Sequence, residues 1–260
     1  MIEKDIAVAL RMAPFSETSR IVTWMSRSRG RIATLAKGSQ RPKSAFLGQY
    51  DLFYSCEILY HARPAHDLHI LRECTPIAHR AQFRSNWKAM AVASYFAELV
   101  LRTCLPEAPN KAVFDLLENA LDMAASGRKL DTCLLSFEIK LLRALGHAPQ
   151  LGACLKCRKP IRDAAAALSE GPKYSAFSFE RGGVLCDGCA TAGERAERIS
   201  HDIVGLLGFW LGSTSMDSAL RTQCSPAQWK RISEIMGLFL QRHLDLPPAG
   251  RNAALDLLAR

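Results

Sequence analysis

The chain has 260 residues, 48% hydrophobic and 23% charged, with a formal net charge of +9, a composition that suits one large or two small globular domains and argues against disorder. The start Met1-Ile2-Glu3-Lys4-Asp5 lacks the basic stretch and apolar core of a signal peptide, and no apolar stretch reaches the ~20 residues that span a bilayer, so the expectation is a cytoplasmic protein with no membrane partner. Nine cysteines would stay reduced there, and an odd count fits a disulfide framework poorly, so metal or burial must explain them.

In chain order, residues 5 to about 75 are predicted as β-structure. Ile6, Val8, Leu10 and Met12 alternate with small or polar residues, and Leu52, Tyr54, Cys56, Ile58 and Tyr60 repeat the pattern. Between them lie residues 19–25 and 31–36, separated by Arg29-Gly30, and residues 68–73 follow. Five short strands without a helical pattern among them suit a small closed barrel such as the OB-fold, although spacing alone leaves an SH3-like barrel open. The charge is concentrated here: up to Ala45, Lys4, Arg11, Arg20, Arg27, Arg29, Arg31, Lys37, Arg41 and Lys43 stand against Glu3, Asp5 and Glu17. A folded surface with this bias attracts polyanions, of which nucleic acid is the commonest inside a cell, but a solvated basic face gives the same count.

The apolar period then lengthens from two to nearly four. Ala89, Ala93, Phe96 and Val100 mark one helix, Val113, Leu117, Ala120 and Ala124 a second, and Leu134, Phe137, Leu141 and Leu145 a third. Pro106 and Pro109 separate the first two; Gly127 ends the second, Asp131 is placed to cap the third, and Gly146 ends it. Further amphipathic stretches cover residues 199–211 and 226–244, the latter opening with Ser225-Pro226 as an N-cap and first-turn proline would. The expected class is α+β: a five-stranded OB-fold barrel over residues 1–80, then a helical domain over 81–260 with a zinc-binding insert at about 147–195.

That insert carries two C-x-x-C pairs, Cys154/Cys157 and Cys186/Cys189, about 28 residues apart. Two such knuckles can close a tetrahedron of thiolates around one zinc ion, and four thiolates leave no position for an activated water, so the site is expected to be structural. Residues 177–185, with Arg181-Gly182-Gly183 as a turn, are expected to form a hairpin that returns the second pair to the first, while an alanine-rich insertion at residues 164–173 loops out. Redox pairs are the competing reading, but a thioredoxin-like motif wants a βαβ context. Cys56, Cys74, Cys104, Cys133 and Cys224 occur singly in apolar stretches and are expected to be buried.

No catalytic constellation accompanies these motifs. The sequence has no G-x-x-x-x-G-K-[ST] loop, no G-x-S-x-G elbow, no H-E-x-x-H and no His-x-Glu upstream of the cysteines. His61, His66, His69 and His79 lack ligand partners at metal spacing, and His147 and His243 sit beside helix ends where a cation is favourable. An enzyme, such as a nuclease, is the least supported reading.

The run Phe137-Glu138-Ile139-Lys140-Leu141-Leu142-Arg143-Ala144-Leu145-Gly146-His147-Ala148-Pro149-Gln150-Leu151, followed by both cysteine pairs and Gly182-Gly183, closely resembles the zinc-bearing RecO recombination mediators. Pro14-Phe15-Ser16-Glu17-Thr18-Ser19-Arg20-Ile21-Val22, Gly30, Leu35-Ala36-Lys37-Gly38 and Arg41-Pro42-Lys43-Ser44 look like that family's N-terminal barrel, and Arg242-His243-Leu244 like its ending. The enlarged insert between the knuckles departs from the pattern. The resemblance implies a bacterial, nucleoid-associated DNA-repair protein without turnover chemistry. Such a protein binds single- and double-stranded DNA, anneals complementary strands, and works with RecR and RecF to load RecA onto strands coated by single-strand-binding protein. It also implies that the helical domain binds the acidic C-terminal tail of single-strand-binding protein. OB-folds hold single strands in a basic groove and stack bases on aromatics. The candidates here are Arg27, Arg29, Arg31, Lys37, Arg41 and Lys43, the last three in a loop that Gly38 and Pro42 are expected to make mobile. Trp24 or Phe46 could stack on bases, but core positions suit both better. A zinc-stabilised protein-interaction adaptor with an incidental basic face is the alternative.

Overall fold

The structure is a computed structural model that describes residues 1–63, 66–161, 173–190, 196–247 and 249–259. It divides into two compact units, Met1–Leu130 with Asp256–Arg260, and Asp131–Leu255.

In the first unit, strands β1 (Ile2–Ser16), β2 (Ser19–Ser26), β3 (Gly30–Ala36), β4 (Ser55–His61) and β5 (Leu68–Ala78) close into a barrel in the order β1-β2-β3-β5-β4. β1 runs antiparallel to both β2 and β4, and β3 meets β5 in parallel, with Ala33 opposite Leu68 and Leu35 opposite Ile70. This closure is the five-stranded OB order rather than an SH3-like one. The inward residues include Ala7, Ala9, Val22, Trp24, Ile32, Cys56, Ile58, Tyr60, Leu71 and Cys74. Ala9 stands opposite Trp24, so a small inward residue makes room for the largest. The buried indole is satisfied by donating from Nε1 to Thr34 Oγ1 at 2.8 Å.

A short 3-10 turn, Ala81–Arg84, leads into helix α1 (Trp87–Thr103) and then α2 (Lys111–Ala125). Asn86 and Asn110 cap them by accepting from the backbone N–H groups of Ala89 and Val113, both at 3.0 Å. Buried Arg80 ties α2 to the barrel. Its guanidinium donates to the Phe53 carbonyl and Ser55 Oγ, each at 2.7 Å, and pairs with Asp122 at 2.7 Å and Glu118 at 3.4 Å.

Helix α3 (Leu130–Ala144) leads into the second unit, followed by β6 (Tyr174–Ser178), β7 (Gly183–Leu185), β8 (Ala196–Ser200), α4 (His201–Gly212), α5 (Met216–Leu220), α6 (Pro226–Leu244) and α7 (Ala249–Ala259). Asp131 lies in the first turn of α3 rather than ahead of it; there its carboxylate accepts from Thr132 N at 2.7 Å and meets the positive helix end. Gly146 ends that helix as expected: at φ 82° it lets its own N–H reach the Arg143 carbonyl and the His147 N–H reach the Leu142 carbonyl. Helix α6 opens with the expected cap, Ser225 and Gln228 bonding each other's backbone.

The expected hairpin is β6–β7, and the second unit adds β8 on the other edge of β6. Residues 196–200, Ala-Glu-Arg-Ile-Ser, bury Ile199 but little else, so no two-residue period marks this strand in the sequence. The expected looped-out insertion, residues 164–173, lies outside the described residues except for Lys173, whose carbonyl accepts from His201 N at 2.9 Å. Among the single cysteines, Cys56, Cys74, Cys104 and Cys133 are buried, whereas Cys224 is half-buried. No helix among the described residues is long and apolar enough to cross a membrane.

Candidate metal centre and nucleic-acid interface

The two cysteine pairs meet because the segment after α3 is laced to the β6–β7 hairpin. Gln150 N donates to the Gly182 carbonyl, Val184 N to the Gln150 carbonyl, and Leu155 N to the Val184 carbonyl, each at 2.9 Å. Gly183 permits this approach, since a Cβ there would collide with the Gln150 carbonyl oxygen. Each pair then turns on itself. Arg158 N donates to the Cys154 carbonyl at 3.0 Å, and Cys189 N and Ala190 N both donate to the Cys186 carbonyl, at 2.8 and 3.0 Å.

The result is one cluster. The Sγ atoms of Cys154, Cys157, Cys186 and Cys189 all lie within 4.8 Å of one another, close enough to hold a metal ion. Cys157 and Cys186 Sγ are 3.7 Å apart, far beyond a disulfide bond. Burial pushes the Cys154 thiol up, but hydrogen bonds from the Cys157, Cys186 and Lys156 backbone outweigh it and bring it down to about 6. Cys189 goes the other way, pushed up to about 12 by its thiol neighbours, Cys186 first. Thiols this close resist ionising together, and a divalent cation among them removes the conflict.

The six basic candidates of the barrel separate into two groups. Arg29 forks onto Glu3, with Nε to Oε2 at 2.9 Å, and its Nη1 lies 3.9 Å from Glu107. The Arg29 hydrogen bond, helped by one from Tyr60, holds the Glu3 carboxyl below its usual range. Arg31 donates from Nε to the Cys104 carbonyl and accepts at its own carbonyl from Glu107 N, both at 2.9 Å. Arg29 is thus paired chiefly with Glu3 on β1, while Arg31 is bonded to the end of α1 and the loop after it. Arg27, Lys37, Arg41 and Lys43 are exposed and have no ion-pair partner among the described residues.

Lys37, Arg41 and Lys43 lie on the segment between β3 and β4, which is a run of hydrogen-bonded turns rather than a loose loop. Ser39 N reaches the Ala36 carbonyl at 3.3 Å, Arg41 N the Gly38 carbonyl at 3.1 Å, and Ser44 N the Arg41 carbonyl at 3.0 Å. Two bonds fasten it to the β1–β2 hairpin tip: Gly38 N to Ser19 Oγ at 3.1 Å and Gln40 N to the Thr18 carbonyl at 2.9 Å. Neither aromatic proposed for stacking is free to do so. Trp24 is 0% exposed, and Phe46 packs on the barrel core and edge-on to Tyr50. The exposed aromatic on the adjoining hairpin tip is Phe15, 56% exposed. In the sequence Phe15 falls only within the family-like run of residues 14–22, with no role; it lies in β1, just ahead of the turn at Glu17-Thr18.

The descriptions "Recombination protein O N terminal" and "Recombination protein O C terminal" match residues 1–80 and 84–252. A DNA repair protein RecO of Rhodopirellula baltica is 32% identical over 78% of this chain and 72% of its own length. Those of Anaeromyxobacter sp. (strain K) and Exiguobacterium sibiricum are 28% and 27% identical, the first over 96% of this chain and 94% of its own, the second over 99% and 98%. With both halves matched in order and full-length relatives at this identity, the chain belongs to the RecO family of DNA repair proteins.

Proposed function

We propose that this protein binds single- and double-stranded DNA in a sequence-independent way and anneals complementary strands. Together with RecR it would help load RecA onto strands coated by single-strand-binding protein, whose acidic tail it takes on the helical domain. The observation that carries the DNA-binding part is the cation set Arg27, Lys37, Arg41 and Lys43, exposed on an OB-fold and unspent on internal partners. An OB-fold presents its loops and basic groove to the phosphodiester backbone, and phosphate contact needs cations of this kind. No turnover chemistry belongs to this reading.

The metal in this reading is one zinc ion. Thiolates at the Zn–S distance of ~2.3 Å stand about 3.8 Å apart in a tetrahedron, and the Cys157–Cys186 separation of 3.7 Å supports that shell. A closed shell of four sulfurs binds no substrate. The ion would clamp the segment after α3 to the β6–β7 hairpin.

Anisotropy titration of the whole protein with unstructured single-stranded DNA tests the reading. Binding should tighten steeply as salt is lowered, because neutralised phosphates release counterions, and complementary strands precoated with single-strand-binding protein should anneal faster in its presence. Absence of binding at low salt would leave the protein-interaction adaptor in its place.

A further inference from the structure

Phe15 sits where a stacking residue would be needed. Strand β1 pairs with β2 through Pro14 opposite Arg20 and Ser16 opposite Ser19, so Phe15 is an extra residue in the ladder, a bulge at the hairpin tip. Bulges re-aim side chains at barrel rims and beside binding sites. Phe15 is 56% exposed and its ring has no aromatic partner among the described residues. Leaving that much of an aromatic in water forfeits burial that the barrel core could otherwise supply.

The surroundings specify the occupant. The same hairpin tip accepts the two hydrogen bonds, at Ser19 Oγ and the Thr18 carbonyl, that fasten the turns carrying Lys37, Arg41 and Lys43. Arg41 folds back over Gly38, its Cδ 3.5 Å from where a Cβ would be, which keeps its charge beside the fastened end of the turn. The acid on the tip is Glu17 alone, against these three free cations. An exposed π-face on one loop of an OB barrel, bonded to a cationic neighbouring loop, matches a polyanion that carries flat apolar rings.

We propose that Phe15 is the platform on which an unpaired base of single-stranded DNA stacks while Lys37, Arg41 and Lys43 hold the flanking phosphates. The proposal rests on the DNA-binding reading above. Stacking on one aromatic is sequence-tolerant, since every base has a π-face, and it requires a base not already stacked in a duplex.

The test compares the full-length protein with Phe15→Ala and Phe15→Trp on three probes of equal length: a single strand, a duplex, and an abasic sugar–phosphate strand. Phe15→Ala should weaken single-strand binding by about 5- to 150-fold, leave duplex and abasic binding within about twofold, and melt as the wild type does. Phe15→Trp should keep single-strand affinity and add indole fluorescence that the strand quenches. Equal losses on all three probes would make Phe15 a structural residue and overturn the proposal. So would unchanged single-strand binding in Phe15→Ala, including the case where that variant loses an acidic peptide instead. If the wild type binds no single strand at all, the DNA-binding reading fails and this proposal with it; if only the Phe15 variants behave otherwise, that reading stands.

Discussion

Replacing Arg41 by Gln should lower the salt sensitivity of single-strand binding, whereas replacing Arg31 by Gln should leave it unchanged. Each cation that neutralises a phosphate on a single strand contributes about 0.7 to the slope of log K against log salt. Arg27, Lys37, Arg41 and Lys43 are exposed without ion-pair partners among the described residues, so the four together should supply a slope of about 2.8. Each single Gln variant should reduce the slope by about 0.7, which amounts to about 2.6-fold less change in affinity between 50 and 200 mM salt. Arg31 already donates to the Cys104 carbonyl at 2.9 Å and should contribute nothing to that slope. Arg29 is held differently, its charge paired with the Glu3 carboxylate. Fluorescence anisotropy of a labelled strand across a salt series measures the slope, with circular dichroism confirming that each variant is folded. An equal loss of slope in Arg31→Gln and Arg41→Gln would refute the division into committed and free cations, as would no loss in any of the four.

Arg80→Met should destabilise the first unit by about 3–5 kcal/mol, the range for removing one partner of a buried ion pair, since the Arg80 side chain is 3% exposed and Glu118 only 27%. Asp122, 60% exposed, adds little; a loss under about 1 kcal/mol in urea unfolding would contradict the role assigned to this side chain. Stripping the metal with a chelator should speed amide exchange at residues 150–157 and 183–189 while the barrel keeps its protection and still binds a single strand. Metal analysis of the untreated protein should return one zinc per chain, and equal loosening of the barrel would argue against a local clamp. Glu3, whose carboxyl is held low by the Arg29 hydrogen bond, should stabilise the barrel fully above the ordinary carboxylate pKa of about 4.3 and lose that contribution as pH falls through its lower folded value. In acid titrations Glu3→Gln should flatten the stability profile over that window; an unchanged profile would remove Glu3 from the acid response.

Much of the molecule is readable from local pattern. Alternation marks β1 and β4, but only roughly: β4 starts at Ser55, after Leu52 to Tyr54, and β1 buries Ala7 to Leu10 on both faces with Ala7 and Ala9 in the barrel core. Ser225-Pro226, by contrast, marks a helix start because a side-chain cap and a proline both act within one turn. The four clustered thiols are equally local, two C-x-x-C pairs at a spacing that suits a shared metal ion. Strand β8 is not readable, because its five residues owe their conformation to the edge of β6 rather than to any period of their own.

What the sequence by itself determined is the order of barrel and helices, the two cysteine pairs of the candidate metal centre, and an excess of positive charge near the N-terminus. Only the tertiary structure decided how that charge is spent. Arg29 and Arg31 look like Arg41 in a sequence, yet Glu3 and the Cys104 carbonyl reach them across the fold. Trp24 looks like a better stacking residue than Phe15, yet the barrel closes over one and a bulge turns the other out. Composition counts charges and rings; which of them face water depends on partners far away in the chain.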